Sequence, residues 1–78
     1  MIEKQAIRTV PLKGLQVFEA VGRCGSVSAA ALELNVSPGA ISHQIRKIES
    51  FLGVTLLERN GRNVELNQWG RLYHHEIS

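Results

Sequence analysis

Ser37, Pro38, Gly39, Ser42, His43 and Arg46 stand close together in the segment SPGAISHQIRK, with Lys47 beside them, and Arg59 and Arg62 follow in ERNGR. Hydroxyl, imidazole and guanidinium groups in such a set offer hydrogen bonds and positive charge to an anionic or polar surface. Catalysis is a poor match. The seven carboxylates are spread along the chain without a clustered pair, there is no glycine-rich phosphate loop, and no Ser/His/Asp spacing is tied to a pocket. A metal fits no better: His74 and His75 are adjacent, so on a helix their rings diverge by roughly 100° and cannot comfortably share an ion. Both are read as surface residues. The single cysteine, Cys24, excludes an internal disulfide and a CxxC knuckle, and its place before Gly25 marks a small packing residue at a helix end. No cofactor and no metal are expected.

The segment that must position these groups is a helix. Ser37 can cap orphan N–H groups, and Pro38 has the fixed φ that suits a first helical position. From there Ile41, Ile45, Ile48 and Leu52 recur at steps of four, three and four, a narrow apolar stripe on a 3.6-residue helix. Gly39, His43, Arg46 and Ser50 lie nearly opposite, flanked by Ser42 and Lys47. Ser, His and Gly are middling to poor helix formers, so this face is not filled for propensity. It reads either as a recognition face or as an ordinary solvated surface.

Upstream, Gly25-Ser26 can end one helix and cap the next, which packs through Val27, Ala30, Ala31 and Leu34. Three residues, Asn35, Val36 and Ser37, then lead to Pro38, the connection length of a helix-turn-helix, whose second helix enters the major groove. A first helix from about Leu12 to Cys24 braces the pair, with Leu15, Phe18 and Val21 inward and Lys13, Gln16, Glu19 and Arg23 outward. Its polar face carries both signs, unlike a membrane-surface helix. Residues 1–10 are expected to form a flexible or loosely docked lead.

After Gly53 the period changes. VTLLER and NVEL are strand-compatible runs around Asn60-Gly61-Arg62, and Asn-Gly is a strong hairpin signal. Arg59 and Arg62 sit at the tip of that two-stranded wing, placed to straddle a phosphate backbone or simply to solubilise the tip. Asn67 caps a last helix whose apolar content is Trp69, Leu72 and Tyr73, a dimer contact or a docking onto the first helix.

Length sets the bounds. A chain of 78 residues is one small domain burying about 60% of its unfolded surface, so dimerisation would help its thin core. An apolar fraction of 44% against 21% charged residues argues against disorder. Net charge is only +2 and the pI about 9.1, a mild pointer to a polyanionic partner. No run approaches the ~18 apolar residues of a membrane span, and the first ten residues lack a signal-peptide core. The expected location is the cytoplasm, with no membrane partner.

The order helix, helix-turn-helix, wing, helix, carried by SVSAAALELNVSPGAISHQIRKIESFLGVTLLERNGRNVELNQWG, closely resembles the N-terminal DNA-binding domain of LysR-type transcriptional regulators. The match runs from Pro11 onward: Phe18; Ser26 with Ala30-Ala31 and Leu34; Ser37, Ala40, Ser42, Ile45 and Ile48-Glu49; Leu52-Gly53, Leu56-Leu57 and Arg59; Leu66 and Gly70. PLKGLQVFEA and SHQI look like the glycine-cleavage activators and their β-lactamase-regulator relatives. The resemblance implies a mainly α fold: a winged helix-turn-helix of three helices and a two-stranded wing over 11–66, followed by a C-terminal linker helix over 67–78. It implies sequence-specific binding to double-stranded DNA, at an imperfect palindromic operator, by a homodimer joined through the linker helix. By position, Ser28 would touch phosphate, and Pro38, Gly39, Ser42 and His43 fall at base-reading positions beside Ser37. Arg46 lies next along that face, and Arg59 and Arg62 are the wing's backbone contacts.

The departures are specific. Pro38 stands where the family usually has glutamine, Gly39 where proline is common, His43 where arginine is frequent and Ala29 where a basic residue is common. Base readout should lean on Ser42, His43, backbone contacts and DNA shape. Asn67 replaces a threonine cap, and Trp69 a small residue. Family members continue into an effector-binding domain of periplasmic-binding-protein type, which these residues do not contain, as in an excised domain or a truncated gene. Two rivals stay open, a winged helix that binds protein and a winged-helix regulator of another family; Arg46, Lys47, Arg59 and Arg62 on one expected side favour DNA.

Overall fold

The computed structural model describes residues 12–77; the expected N-terminal lead, residues 1–10, lies outside the described residues. Four helices and one hairpin follow in the order α1 (Leu12–Cys24), α2 (Val27–Leu34), α3 (Pro38–Leu52), β1 (Leu57–Asn60), β2 (Asn63–Leu66) and α4 (Gln68–Ile77). Helix α1 is the centre of the assembly: it packs against α2, α3, α4 and β2. This is a mainly helical winged helix-turn-helix.

Each helix boundary has a local cause. Gly25 leaves α1 at φ +93 and donates its N–H to the Val21 carbonyl at 2.9 Å. Ser26 then accepts from the Ala29 N–H at 3.1 Å to cap α2. Asn35 ends α2 in the left-handed region at φ 59, where asparagine is among the few tolerated side chains, and Val36 N–H reaches back to the Ala31 carbonyl at 3.0 Å. Ser37 caps α3 through the Ala40 N–H at 3.1 Å, with Pro38 as first helical residue.

The core comprises Val17, Phe18, Ala20 and Val21 of α1, Val27, Ala30 and Ala31 of α2, Ile41, Ile45 and Ile48 of α3, with Leu56 and Leu66 at the open end of the hairpin. The buried face of α1 is wider than its Leu15–Phe18–Val21 spacing suggests. Val17 and Ala20 are fully inside because α2 and α3 cover α1 from two directions, while Leu15 is only half-buried. The stripes of α2 and α3 are shorter than expected: Leu34 and Leu52, each the last residue of its helix, remain 37% and 38% exposed. Both helices have run past the elements they pack on.

The hairpin pairs Leu57 with Leu66, Glu58 with Glu65, Arg59 with Val64 and Asn60 with Asn63. Pairing starts at Leu57, so Val54-Thr55-Leu56 is an approach segment rather than strand, and Asn60 is a paired strand end. The two turn residues are Gly61 and Arg62, with φ +66 at Gly61 alone, as a two-residue turn with glycine first requires. The expected Asn-Gly turn is therefore shifted by one residue.

Helix α4 is tied to this hairpin by Asn67. Its side-chain oxygen accepts from the Gly70 N–H at 2.8 Å, its amide donates to the Thr55 carbonyl at 2.9 Å, and its own N–H donates to the Leu56 carbonyl at 2.8 Å. Gly70 is buried, and a Cβ there would lie 2.5 Å from the Leu56 carbonyl oxygen. Only glycine permits that approach. His74 is not a surface residue: its side chain is 19% exposed, its Nε2 lies 3.1 Å from the Glu19 carbonyl oxygen, and its ring meets Phe18 edge-on with centroids 6.1 Å apart. His75, one position on, is exposed.

Candidate nucleic-acid interface

Helix α3 turns its isoleucines into the core, and this alone sets what faces outward. Ser37, Pro38, Gly39, His43, Arg46 and Lys47 are exposed, and Ser42 is half-buried at the edge of the stripe. The Ser37 hydroxyl oxygen is engaged as the helix cap, leaving its proton free to donate. Gly39 has open space where a Cβ would be, its nearest neighbour being the Ser37 Oγ at 3.9 Å. Another molecule can therefore approach the first turn of α3 closely.

The wing meets this helix along a groove lined by Ser42, Arg46 and Glu49 from α3 and Leu57, Glu58, Arg59 and Val64 from the hairpin. Three of the residues singled out in the sequence, Ser42, Arg46 and Arg59, are thus brought together. Ser28, exposed in the first turn of α2, and Arg62, exposed in the hairpin turn, are not among the groove residues.

Two residues set the relation of helix to wing, and neither is among the candidate site residues read from the sequence. Glu49 reaches over the Gly53 turn, and its Oε2 accepts from the Leu56 N–H at 2.8 Å. Leu56 is fully buried, so this carboxylate satisfies a donor that water cannot reach. Gly53 makes room for the reversal at φ +75. Lys47, four residues beyond His43, is exposed on the same helix and extends its cationic face; its helical spacing was the available signal.

Charge is sorted across the molecule. Arg23 binds Glu19 at 3.1 Å within α1 and donates to Glu33 of α2 at 2.8 Å. Arg71 reaches Glu58 at 3.4 Å and Glu65 at 4.0 Å. The Arg23 guanidinium holds the Glu33 carboxyl down at about 2, and the two carboxylates raise Arg23 further above its ordinary range. Desolvation and the Glu33 carboxylate push the Cys24 thiol up, away from thiolate chemistry. Among the described residues Arg46, Lys47, Arg59 and Arg62 make no ion pair. Among the described residues the modest net charge of +2 thus conceals four cations without an ion pair on α3 and the hairpin, while Glu19 and Glu33 share Arg23 and Glu58 and Glu65 share Arg71.

Among the described residues no group of three or more His, Cys, Asp or Glu side chains is arranged to hold a metal ion. No described helix is long and apolar enough to cross a membrane.

Residues 12–71 match the family described as bacterial regulatory helix-turn-helix protein, lysR family. The chain belongs to the LysR family. It is 48% identical over 62 residues to the HTH-type transcriptional regulator PerR of Escherichia coli K12, an alignment covering 80% of this chain and 21% of that protein. It is 43% identical over 70 residues to the glycine cleavage system transcriptional activator of the same strain, covering 90% of this chain and 23% of the activator. The chain thus spans less than a quarter of the length of these curated relatives. Its fold matches the CbnR DNA-binding domain solved as a DNA complex, with a TM-score of 0.73 and 38% identity, covering 85% of this chain and 76% of that one. These relatives are transcriptional regulators.

Proposed function

We propose that this chain binds double-stranded DNA sequence-specifically, as the reading head of a LysR-type transcriptional regulator in the bacterial cytoplasm. The observation that carries the reading is the set Arg46, Lys47, Arg59 and Arg62, exposed on α3 and the hairpin and without an ion pair among the described residues. Helix α3 enters the major groove with Ser37, Pro38, Gly39, Ser42 and His43 at base edges. The absent Cβ at Gly39 lets the backbone come close, while Pro38 contributes shape and no amide donor. Arg46, Arg59 and Arg62 contact phosphates, as does Ser28 at the start of α2, where helix-terminal N–H groups favour an anion.

In this reading residues 11–66 form the winged helix-turn-helix and residues 67–78 begin a linker helix through which two copies pair. Trp69 and Leu72, three residues apart on α4, are 52% and 53% exposed, an apolar edge suited to a second copy. The two α3 helices of that homodimer then lie in successive major grooves of an imperfect palindrome. An effector-binding domain belongs to the whole regulator and not to these residues.

The test is fluorescence anisotropy of a labelled, randomised duplex pool at two salt concentrations, followed by sequencing of the bound fraction. Salt-sensitive binding that converges on a two-fold-symmetric motif is expected. Absence of binding at low salt would overturn the proposal and leave a protein-binding winged helix.

A further inference from the structure

The hairpin carries an arrangement that is unfavourable on its own. Glu58 and Glu65 are directly opposite in the antiparallel register, and like charges at facing positions repel. Strand alternation puts these carboxylates on the face away from Arg59 and Val64, which point with Leu57 and Leu66 the other way. A cation from outside the hairpin resolves the repulsion: Arg71, in the first turns of α4, places Nη2 3.4 Å from Glu58 Oε2 and 4.0 Å from Glu65 Oε1. Asn60 adds a weaker contact from its amide to Glu65 Oε2 at 3.4 Å. Glu58 also borders the groove that holds Ser42, Arg46 and Arg59.

We propose that Arg71 is a positioning residue for DNA binding: it offsets part of the charge of the facing Glu58–Glu65 pair, so that the hairpin repels phosphate less. Arg71 itself touches no DNA. Released from Arg71, both carboxylates stand uncompensated on the hairpin, and their field opposes the approach of phosphate to the wing. Because Arg71 rides on α4, the placing of that helix sets the charge beside the wing. The inference rests on the DNA-binding reading.

The experiment compares the 78-residue chain with its Arg71→Gln, Arg71→Lys, Glu58→Gln/Glu65→Gln and Arg71→Gln/Glu58→Gln/Glu65→Gln variants. Each is titrated against one duplex by anisotropy over a range of salt. Arg71→Gln is expected to weaken binding about three- to tenfold at low salt, the effect of two carboxylates left unscreened near phosphates, and Arg71→Lys to stay near wild type. With both glutamates already neutral, Arg71→Gln is expected to change affinity less than about twofold. A full loss persisting in that background, with the salt slope falling by about one, would show that Arg71 contacts phosphate directly and overturn the proposal. Wild-type binding by Arg71→Gln would also overturn it. If Arg71→Gln alone fails to fold, the triple variant compared with the double-glutamine variant decides: a difference below about twofold supports the offsetting role, and a loss of about three- to tenfold refutes it. A wild-type chain that shows no salt-sensitive binding removes the DNA reading and this inference together, whereas failure of the variants alone removes only this inference.

Discussion

Replacing Gly22 by alanine isolates the contact that docks α4 onto α1. A Cβ at Gly22 would lie 2.3 Å from the Cδ2 and 2.4 Å from the Cγ of His74, so the imidazole must leave its place. Leaving it breaks the 3.1 Å contact between Nε2 and the Glu19 carbonyl and the edge-on packing against Phe18. A hydrogen bond of this kind contributes about 1 kcal/mol, and the aromatic contact about 0.5–1.5 kcal/mol. Against these, alanine in a helix interior gains roughly 0.5–1 kcal/mol over glycine. The balance is a destabilisation of about 1 kcal/mol, which lowers the melting temperature of a domain this size by about 4–8 °C. In a His74→Ala background the obstruction is gone and only the helix gain remains, so the same substitution should raise the melting temperature. Thermal denaturation followed by circular dichroism on the four proteins of this cycle reads the sign directly. If Gly22→Ala has the same sign in both backgrounds, the proposed competition between a methyl group and the His74 ring is wrong.

Four further outcomes follow from the geometry. Glu49→Ala should cost about 1–3 kcal/mol, because the buried Leu56 N–H loses its acceptor; urea titration should show a lower midpoint with an unchanged slope. The Glu33 carboxyl, held at about 2 against an ordinary 4.5, is depressed in the folded state, so its stabilisation is complete above the ordinary value and disappears as pH falls through about 2. Melting temperature should therefore drop more steeply between pH 4.5 and 2 in the wild type than in Glu33→Gln, and parallel curves would refute the Arg23–Glu33 tie. On DNA, Arg62→Ala should weaken all duplexes alike and reduce the salt slope, whereas His43→Ala should cost about 1–3 kcal/mol of discrimination at one base position, checked by a randomised-site selection.

Much of the architecture is legible in the chain because its signals are local. Ser26, Ser37 and Asn67 cap the helices that follow them, Gly25 and Gly53 take left-handed positions at helix ends, and Ile41, Ile45 and Ile48 fall on one side of α3 by spacing alone. Once that side is buried, Ser42, His43, Arg46 and Lys47 have nowhere to go but outward or to the edge. Candidate site residues on a single helix are therefore readable from periodicity, before any tertiary contact is known.

What the tertiary structure decided depends on neighbours distant in the chain. Leu34 and Leu52 continue apolar stripes yet stay partly in solvent, because none of the described elements covers those helix ends. His74 looks like half of a surface pair until α1 presents Gly22 and Phe18 to it, 52 and 56 positions earlier in the chain. The groove joining Arg46 to Arg59 exists because Glu49 binds the Leu56 N–H across the Gly53 turn. Composition counts nine basic and seven acidic residues as nearly balanced. Only the folded arrangement pairs Arg23 and Arg71 with acids and leaves Arg46, Lys47, Arg59 and Arg62 without an ion pair among the described residues. The physical reason is range: caps and helical periodicity act within a few residues, whereas burial, ion pairing and the field at a surface are set by groups that meet only when the chain has folded.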